Sequence, residues 1–374
     1  MGGALWKEGV LRPVTGKRIV AILAAGGLTL AAAACGDAPE DSPSGSGASA
    51  AAAYKACMVT DTGGIDDRSF NASAWAGMQA AQQGASNIDP KYVASTAETD
   101  YEPNLRQFVT QKCSFILAVG GLMGDATKKV ATENASQQFG IVDSSIADAK
   151  NVYPMQFATD EAAFLAGYLA AGYSKSGKVA TYGGLKIPPV TVFMDGFADG
   201  VAYYNTQKKK NVQVLGWDKA KQNGTFAEAF GDQNKGKSIT NTFVAQGADV
   251  IMPVAGGTGL GTADVAKASS GKVSVIWVDQ DGCKSAEQYC DVFLTTVVKN
   301  INDAVKQAVA DGAAGKTLAA TPGYLGTLEN DGVGLAPYNK FDSKVDSGLK
   351  GEIDKLKADI IAGTVKVESV NAPK

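Results

Sequence analysis

The sequence predicts an α/β protein built from parallel sheets in two similar lobes. Three observations carry that reading. From Tyr54 onward, short apolar runs such as Ala56–Val59, Ser114–Val119, Val250–Val254 and Val273–Val278 alternate with helical patterns. A strand followed each time by a crossover helix must pair in parallel. Glycine-rich loops follow the runs directly, at Gly63-Gly64, Gly120-Gly121, Gly183-Gly184 and Gly256-Gly257. Finally, 374 residues are more than one hydrophobic core usually organises.

Residues 1–34 read as an export signal. Lys17-Arg18 closes a basic segment, and Ile19–Ala34 is apolar but shorter than the ~20 residues of a membrane span. The segment ends Leu30-Ala31-Ala32-Ala33-Ala34-Cys35-Gly36. Small residues directly before a cysteine resemble a bacterial lipobox, with Ala32 where leucine is commonest, and imply lipidation of Cys35. Residues 35–53 are rich in Gly, Ser, Ala and Pro and read as a flexible tether. The expected location is the extracytoplasmic face of the cell membrane, held by a lipid anchor.

Without residues 1–34 the chain loses four basic residues (Lys7, Arg12, Lys17, Arg18) and one acid (Glu8), which takes its formal charge from −3 to −6. An acidic surface of that kind does not suit nucleic acid as a partner. The chain contains no histidine. Ser-His-Asp and Cys-His catalysis, histidine metal ligands and a histidine pH switch are thereby excluded.

The elements follow in order. Ala56–Val59 is a buried strand, and a helix covers Asn71–Gln83. Lys91–Ser95 is a second strand. Tyr101-Glu102-Pro103 opens a helix with Leu105, Phe108 and Val109 on one face. After the strand Ser114–Val119 comes a helix near Asp125–Ser136, then the strand Phe139–Asp143 and an extended piece at Asn151–Ala158. Glu161–Tyr173 is a helix whose Gly167, Ala170, Ala171 and Gly172 permit close helix packing. A second set of βα units begins at Lys178–Gly184, with strands at Val212–Gly216, Val250–Val254, Val273–Val278 and Asp291–Thr295. The last helix carries Leu349, Ile353, Leu356 and Ile360 on one face. The expected lobes are 54–165 plus 286–325, and 175–284 plus 335–374.

Four cysteines remain after Cys35. Cys57 and Cys113 each stand at the start of a predicted strand, and neighbouring parallel strands would bring them together. Cys283 and Cys290 are seven apart in one loop. Two disulfides are expected, Cys57–Cys113 and Cys283–Cys290; a zinc site is the rival, but no Cys-x-x-Cys spacing occurs.

Ligand sites in open α/β sheets lie at the carboxyl ends of strands. The loop Asp61–Phe70 places Asp61, Asp66, Asp67 and an aromatic ring at such a point. By itself it reads as a βα turn with Asp67 or Ser69 as N-cap, as a cation site around Asp61, or as half of a ligand site. A second candidate is Val250–Gly261, a strand, a glycine-rich loop and a helix start. The next strand ends on Asp279, twenty residues after Gly259. Dinucleotide-binding folds have nearly this layout, which keeps an NAD-dependent enzyme open, although Thr262 stands where the third glycine or alanine belongs.

The run Asp61, Gly63, Asp66, Asp67, Ser69, Phe70, Asn71 resembles the N-terminal motif of the basic membrane protein family, with Asp66 where asparagine is usual. These are bacterial substrate-binding lipoproteins of ABC importers, the best understood being purine nucleoside receptors. Other blocks resemble the family in the same order: 186–200, Phe230-Gly231-Asp232 with Lys235-Gly236-Lys237, the run to Gly261, Val278-Asp279-Gln280-Asp281, and Lys299-Asn300. The resemblance implies a type I periplasmic-binding-protein fold, two Rossmann-like lobes with parallel sheets joined by a hinge. It implies capture of a nucleoside for an ABC transporter permease, with no cofactor, no metal and no bond made or broken. The implied ligand residues are Asp61, Asp66, Phe70, Asp143, Phe230, Gly257, Asp279 and Lys299. Asp279 and Lys299 would hold the ribose and Asp143 the base edge. Phe70 and Phe230 would stack on the base, with Phe193 and Trp217 as competitors for the second ring. A carboxylate at Asp66 would favour an N–H-rich base edge. A sugar- or signal-binding lipoprotein of the same fold is the alternative.

Overall fold

The computed structural model describes residues 52–318 and 321–373. The expected signal segment 1–34, Cys35 and the tether up to residue 51 lie outside the described residues.

The chain opens with β1 (Tyr54–Thr60), α1 (Phe70–Gly84), β2 (Ile88–Val93), α2 (Tyr101–Thr110), β3 (Phe115–Val119), α3 (Gly124–Glu133), β4 (Gln138–Val142) and β5 (Val152–Phe157). α4 (Thr159–Tyr173) leads to β6 (Lys178–Gly183), α5 (Pro188–Lys208), β7 (Gln213–Leu215) and a small hairpin of β8 (Trp217–Asp218) and β9 (Asn223–Gly224). Next come α6 (Gln233–Ala245), β10 (Val250–Val254), α7 (Leu260–Ala268), β11 (Ser274–Asp279), the short α8 (Gly282–Ser285) and β12 (Phe293–Lys299). α9 (Ile301–Ala313), β13 (Tyr324–Gly326), β14 (Val333–Leu335) and α10 (Ser347–Ile361) follow.

Two six-stranded sheets result, ordered β13-β5-β4-β3-β1-β2 and β14-β12-β11-β10-β6-β7. Every pairing in the first is parallel. In the second only β14 runs antiparallel, against β12. Helices cover both faces, so strand side chains are buried in both directions. Along β1, Ala56 and Met58 point into the central core cluster while Cys57 and Val59 point into the outer one. This is the period-2 alternation of a strand buried on both sides.

The segment 286–325, expected with the first lobe, divides differently. β12 lies within it and pairs with β11 in the second sheet. The connection from β11 is short and lays the strand beside the one it follows. Only α9, which packs on α1, and β13 join the first sheet. The strand also runs on to Lys299 rather than stopping near Thr295. Thr295 and Thr296, polar by sequence, are buried there: Thr295 Oγ1 donates to the Ala336 carbonyl at 2.7 Å, and Gly282 N–H donates to Thr296 Oγ1 at 3.0 Å. The other expected end of the first lobe, residue 165, falls inside α4. This helix packs along α5 and against α10, where the Tyr168 hydroxyl donates to Glu352 at 2.8 Å.

α4 and α5 cross at backbone contact. A Cβ on Gly167 would stand 2.0 Å from the Phe197 carbonyl oxygen. Gly167→Ala is therefore expected to push the helices apart and destabilise the protein by about 3 kcal/mol, the upper end of ordinary overpacking. Urea denaturation followed by circular dichroism measures it; an unchanged midpoint would remove this crossing as a packing constraint.

The sulfurs of Cys57 and Cys113 are joined, as are those of Cys283 and Cys290. The first bridge ties β1 to the turn two residues before β3, and the second closes the loop that follows β11.

Candidate functional site

Strand order reverses between β1 and β3 in the first sheet and between β6 and β10 in the second. At such a reversal the flanking helices leave on opposite faces and open a crevice at the carboxyl ends of the strands. Residues from both crevices line a single pocket: Asp61, Gly120 and Asp143 from the first sheet, and Val254, Gly256 and Asp279 from the second.

The loop after β1 is built around two buried carboxylates. Asp61 accepts from the Gly63 N–H at 2.9 Å and from the Asn71 side-chain amide at 2.8 Å. Gly120 lets β3 end against it: φ there is +120, and a Cβ would stand 2.7 Å from Asp61 Oδ2. Asp67 accepts from the N–H groups of Ser69 (3.0 Å), Asn71 (2.8 Å) and Ala72 (3.0 Å), and so caps α1. Burial raises the pKa of Asp61, its two hydrogen bonds oppose this, and the charges of Asp143 and Asp279 add to the rise. Burial likewise pushes Asp67 up to about 7, against the pull of its three N–H donors.

Asp143 and Asp279 stand just beyond β4 and at the end of β11, with φ of +62 and +66. Left-handed backbone is costly for a residue with a Cβ, and here it turns each carboxylate out of its strand direction and into the pocket. Lys299, at the end of β12 and 2% exposed, lies between them. Its Nζ is 2.5 Å from Asp143 Oδ2 and 3.7 Å from Asp279 Oδ1. The ammonium also lies 4.9 Å from the Phe70 ring centroid, 5.3 Å from Phe193 and 5.6 Å from Phe157. Aromatic faces hold a cation in a space with little water. The pKa of Asp143 is raised by burial and pulled back by Lys299.

Six of the eight expected ligand residues line this pocket: Asp61, Phe70, Asp143, Phe230, Asp279 and Lys299. Two do not. Asp66 is exposed at the outer edge of its loop, and the pocket carboxylate is its neighbour Asp67. Asp67 is the helix cap, as expected, and lines the pocket as well, whereas Asp66 does not line it. Asp67 lies against the helix start, where capping and lining are one position. Gly256 (φ +51), rather than Gly257, lines the pocket, and both stand against the Phe230 carbonyl. Of the competing aromatics, Phe193 lines the pocket; Trp217 is turned away and donates its indole N–H to Asp195 at 3.0 Å. Asn71 and Pro189 also line the pocket and were not singled out as ligand residues. Asn71 stands inside the motif that drew attention to the loop. Pro189 stands in the block 186–200 that resembles the family, but its place at the pocket depends on how α5 meets the first sheet.

Much of the glycine-rich loop after β10 is occupied by protein. Thr258 N–H donates to the Phe230 carbonyl at 2.9 Å, and a Cβ on Gly261 would stand 2.0 Å from the Gln233 carbonyl. Asp279 Oδ2 accepts from Ser69 at 2.6 Å. The parts a dinucleotide site would use are thus engaged within the chain. Among the described residues no group of three or more His, Cys, Asp or Glu is arranged to hold a metal ion. What remains is a space between aromatic rings, bordered by carboxylates that accept N–H and O–H bonds and by one buried ammonium. Such a space suits a flat, polar-edged ligand.

Comparison with known proteins agrees with this geometry. Residues 54–370 match the family described as ABC transporter substrate-binding protein PnrA-like. The chain is 34% identical over 332 residues to the ABC transporter nucleoside-binding protein BmpA of Lactococcus lactis, covering 84% of this chain and 89% of that one. It is 33% identical over 365 residues to the CD4+ T-cell-stimulating antigen of Listeria innocua, covering 93% and 96%. The crystal structure of an ABC transporter solute-binding protein from Aeropyrum pernix K1 superposes with a TM-score of 0.73 at 23% identity, covering 84% and 92%. The fold is accordingly that of a periplasmic binding protein: two parallel-dominated α/β sheets.

Proposed function

The chain belongs to the PnrA-like family of ABC transporter substrate-binding proteins, and from that premise we propose that its pocket captures a nucleoside, with a purine as the base, for import through an ABC permease. The observation that carries the ligand class is the combination of Phe70, Phe193 and Phe230 with Asp61, Asp143, Asp279 and Lys299 around one space. Stacking on Phe70 and Phe230 buries the flat faces of a base, while the carboxylates accept from its N–H edge and from the ribose hydroxyls. The excess of carboxylates, Asp61, Asp143 and Asp279, over the one lysine disfavours a phosphate, which favours a nucleoside over a nucleotide. Because pocket burial raises the pKa of Asp61 and Asp143, affinity falls with acidification at a higher pH than ordinary carboxylates would set. The protein binds and releases; it makes no bond. The nucleoside-binding relative from Lactococcus supports the same ligand class. Lipidation at Cys35 and a position on the extracytoplasmic face of the membrane complete the proposal, with residues 35–53 as the tether.

A thermal-shift series with purine and pyrimidine nucleosides, nucleotides, sugars and NAD tests it. A ligand at ~100 times its dissociation constant adds ~2.7 kcal/mol to stability. Purine nucleosides are expected to raise the melting temperature, and Phe70→Ala to weaken them about ten- to a hundredfold, the range of base–aromatic stacking. No shift with any nucleoside beside a clear one with NAD or a sugar would overturn the ligand assignment.

A further inference from the structure

The first-sheet loop and the second sheet are joined by direct hydrogen bonds that use no ligand atom, among them a 3.3 Å contact from Ser69 Oγ to the Val278 carbonyl. Ser69 Oγ, wholly buried in the loop before α1, donates to Asp279 Oδ2 at 2.6 Å. One residue earlier, the Arg68 carbonyl accepts from the indole N–H of Trp277 at 3.3 Å. Asp279 and Trp277 are two apart on β11, so consecutive residues of the loop meet alternate residues of one strand. Arg68 has φ +56. Left-handed backbone at a non-glycine residue is unfavourable and persists where its surroundings hold it. Trp277 is fixed in turn: it is fully buried, and a Cβ on Gly259 would stand 2.9 Å from its ring.

Helix capping does not explain the hydroxyl. Ser69 stands at the N-cap position of α1, but its side chain makes no cap bond there. That work is done by Asp67, which accepts from Ser69, Asn71 and Ala72. The serine proton is directed across the cleft instead. Its acceptor is a carboxylate, and hydrogen bonds to charged groups are the stronger kind.

We propose that Ser69 with Asp279, and Arg68 with Trp277, form an interlobe latch that holds the cleft closed independently of ligand, with Ser69 as a positioning residue for Asp279. Closure then brings Asp279 into the pocket already oriented, one oxygen held by Ser69 and the other facing Lys299 at 3.7 Å. A ligand entering such a cleft has less ordering to impose, and its release must break the latch. Entry also has to break the latch, so Ser69 slows both association and dissociation. The inference rests on the nucleoside reading only in its ligand arm.

Two measurements test it. Spin labels on Glu98→Cys and Lys235→Cys, both exposed, report the distance between the two sides of the cleft without any ligand. Ser69→Ala and Trp277→Phe, which keeps an aromatic ring but loses the indole N–H, are each expected to move the distribution to longer distances. Identical distributions in all three proteins would overturn the latch. In the ligand arm, stopped-flow binding of guanosine and adenosine is expected to show Ser69→Ala raising the dissociation rate about tenfold with association no slower than in the unaltered protein. Weaker binding carried by association alone would also overturn it, since a merely misplaced loop slows capture. Should neither nucleoside bind the unaltered protein, the ligand reading fails while the distance measurement still decides the latch.

Discussion

Replacing Lys299 with methionine is expected to lower the stability of the protein by about 3–5 kcal/mol at neutral pH, the cost of leaving one member of a buried ion pair alone. Lys299 is 2% exposed, and its ammonium stands 2.5 Å from Asp143 Oδ2. Methionine fills the stem among Phe70, Phe157 and Phe193 but offers no charge to Asp143. The pH dependence has a definite sign. Burial already raises the pKa of Asp143, and Lys299 is the largest influence holding it down. Without the lysine, the folded-state pKa rises further above the unfolded value. The protein then prefers the protonated acid, and the penalty grows as pH rises from the ordinary carboxylate range through the folded-state value. Urea denaturation should therefore show a larger deficit at pH 8 than at pH 5. Adding Asp143→Asn should return part of the loss at pH 8. An equal deficit at both pH values, with no recovery in the double variant, would mean that the pair is not what holds this part of the structure.

The Cys57–Cys113 bridge is the second large term. Its sequence separation is 56, against 7 for Cys283–Cys290. A cross-link restricts the unfolded chain more the longer the loop it closes; the chain-entropy relation gives about 4 kcal/mol for the first and about 2 kcal/mol for the second. Cys57 is also wholly buried, so its replacement leaves a small void. The Cys57→Ala/Cys113→Ala protein should lose markedly more stability than Cys283→Ala/Cys290→Ala in denaturation without reductant. The reverse order would show that unfolded-state restriction is not what these bridges contribute. The short bridge closes the loop that begins four residues after Asp279.

Much of the site was legible because its residues stand at strand ends, and strand ends are marked in sequence by an apolar run giving way to glycine or a carboxylate. Asp61, Asp143, Asp279 and the β10 loop were found on that signal. Phe70 and Lys299 followed from the motif and from the pair Lys299-Asn300. Asp66 and Asp67 could not be ranked by sequence, because adjacent residues in a loop point in different directions and only the path of the backbone decides which. Gly256 and Gly257 pose the same problem. The partnership of Ser69 with Asp279 spans 210 residues and leaves no local trace.

By itself the sequence determined the α/β class, the order of the elements and the two cysteine pairs. Each of these rests on local periodicity or on strands that are near neighbours along the chain. Tertiary structure decided the rest. It placed β12 in the second sheet, where burial of Thr295 and Thr296 overrides their polarity. It turned Trp217 away from the pocket and Phe193 into it. It also gathered Asp61, Asp143, Asp279 and Lys299 from four strand ends into one space, where burial makes their charges depend on each other. Local pattern reports which face of an element is apolar. Which distant element meets that face is set by packing the whole chain at once.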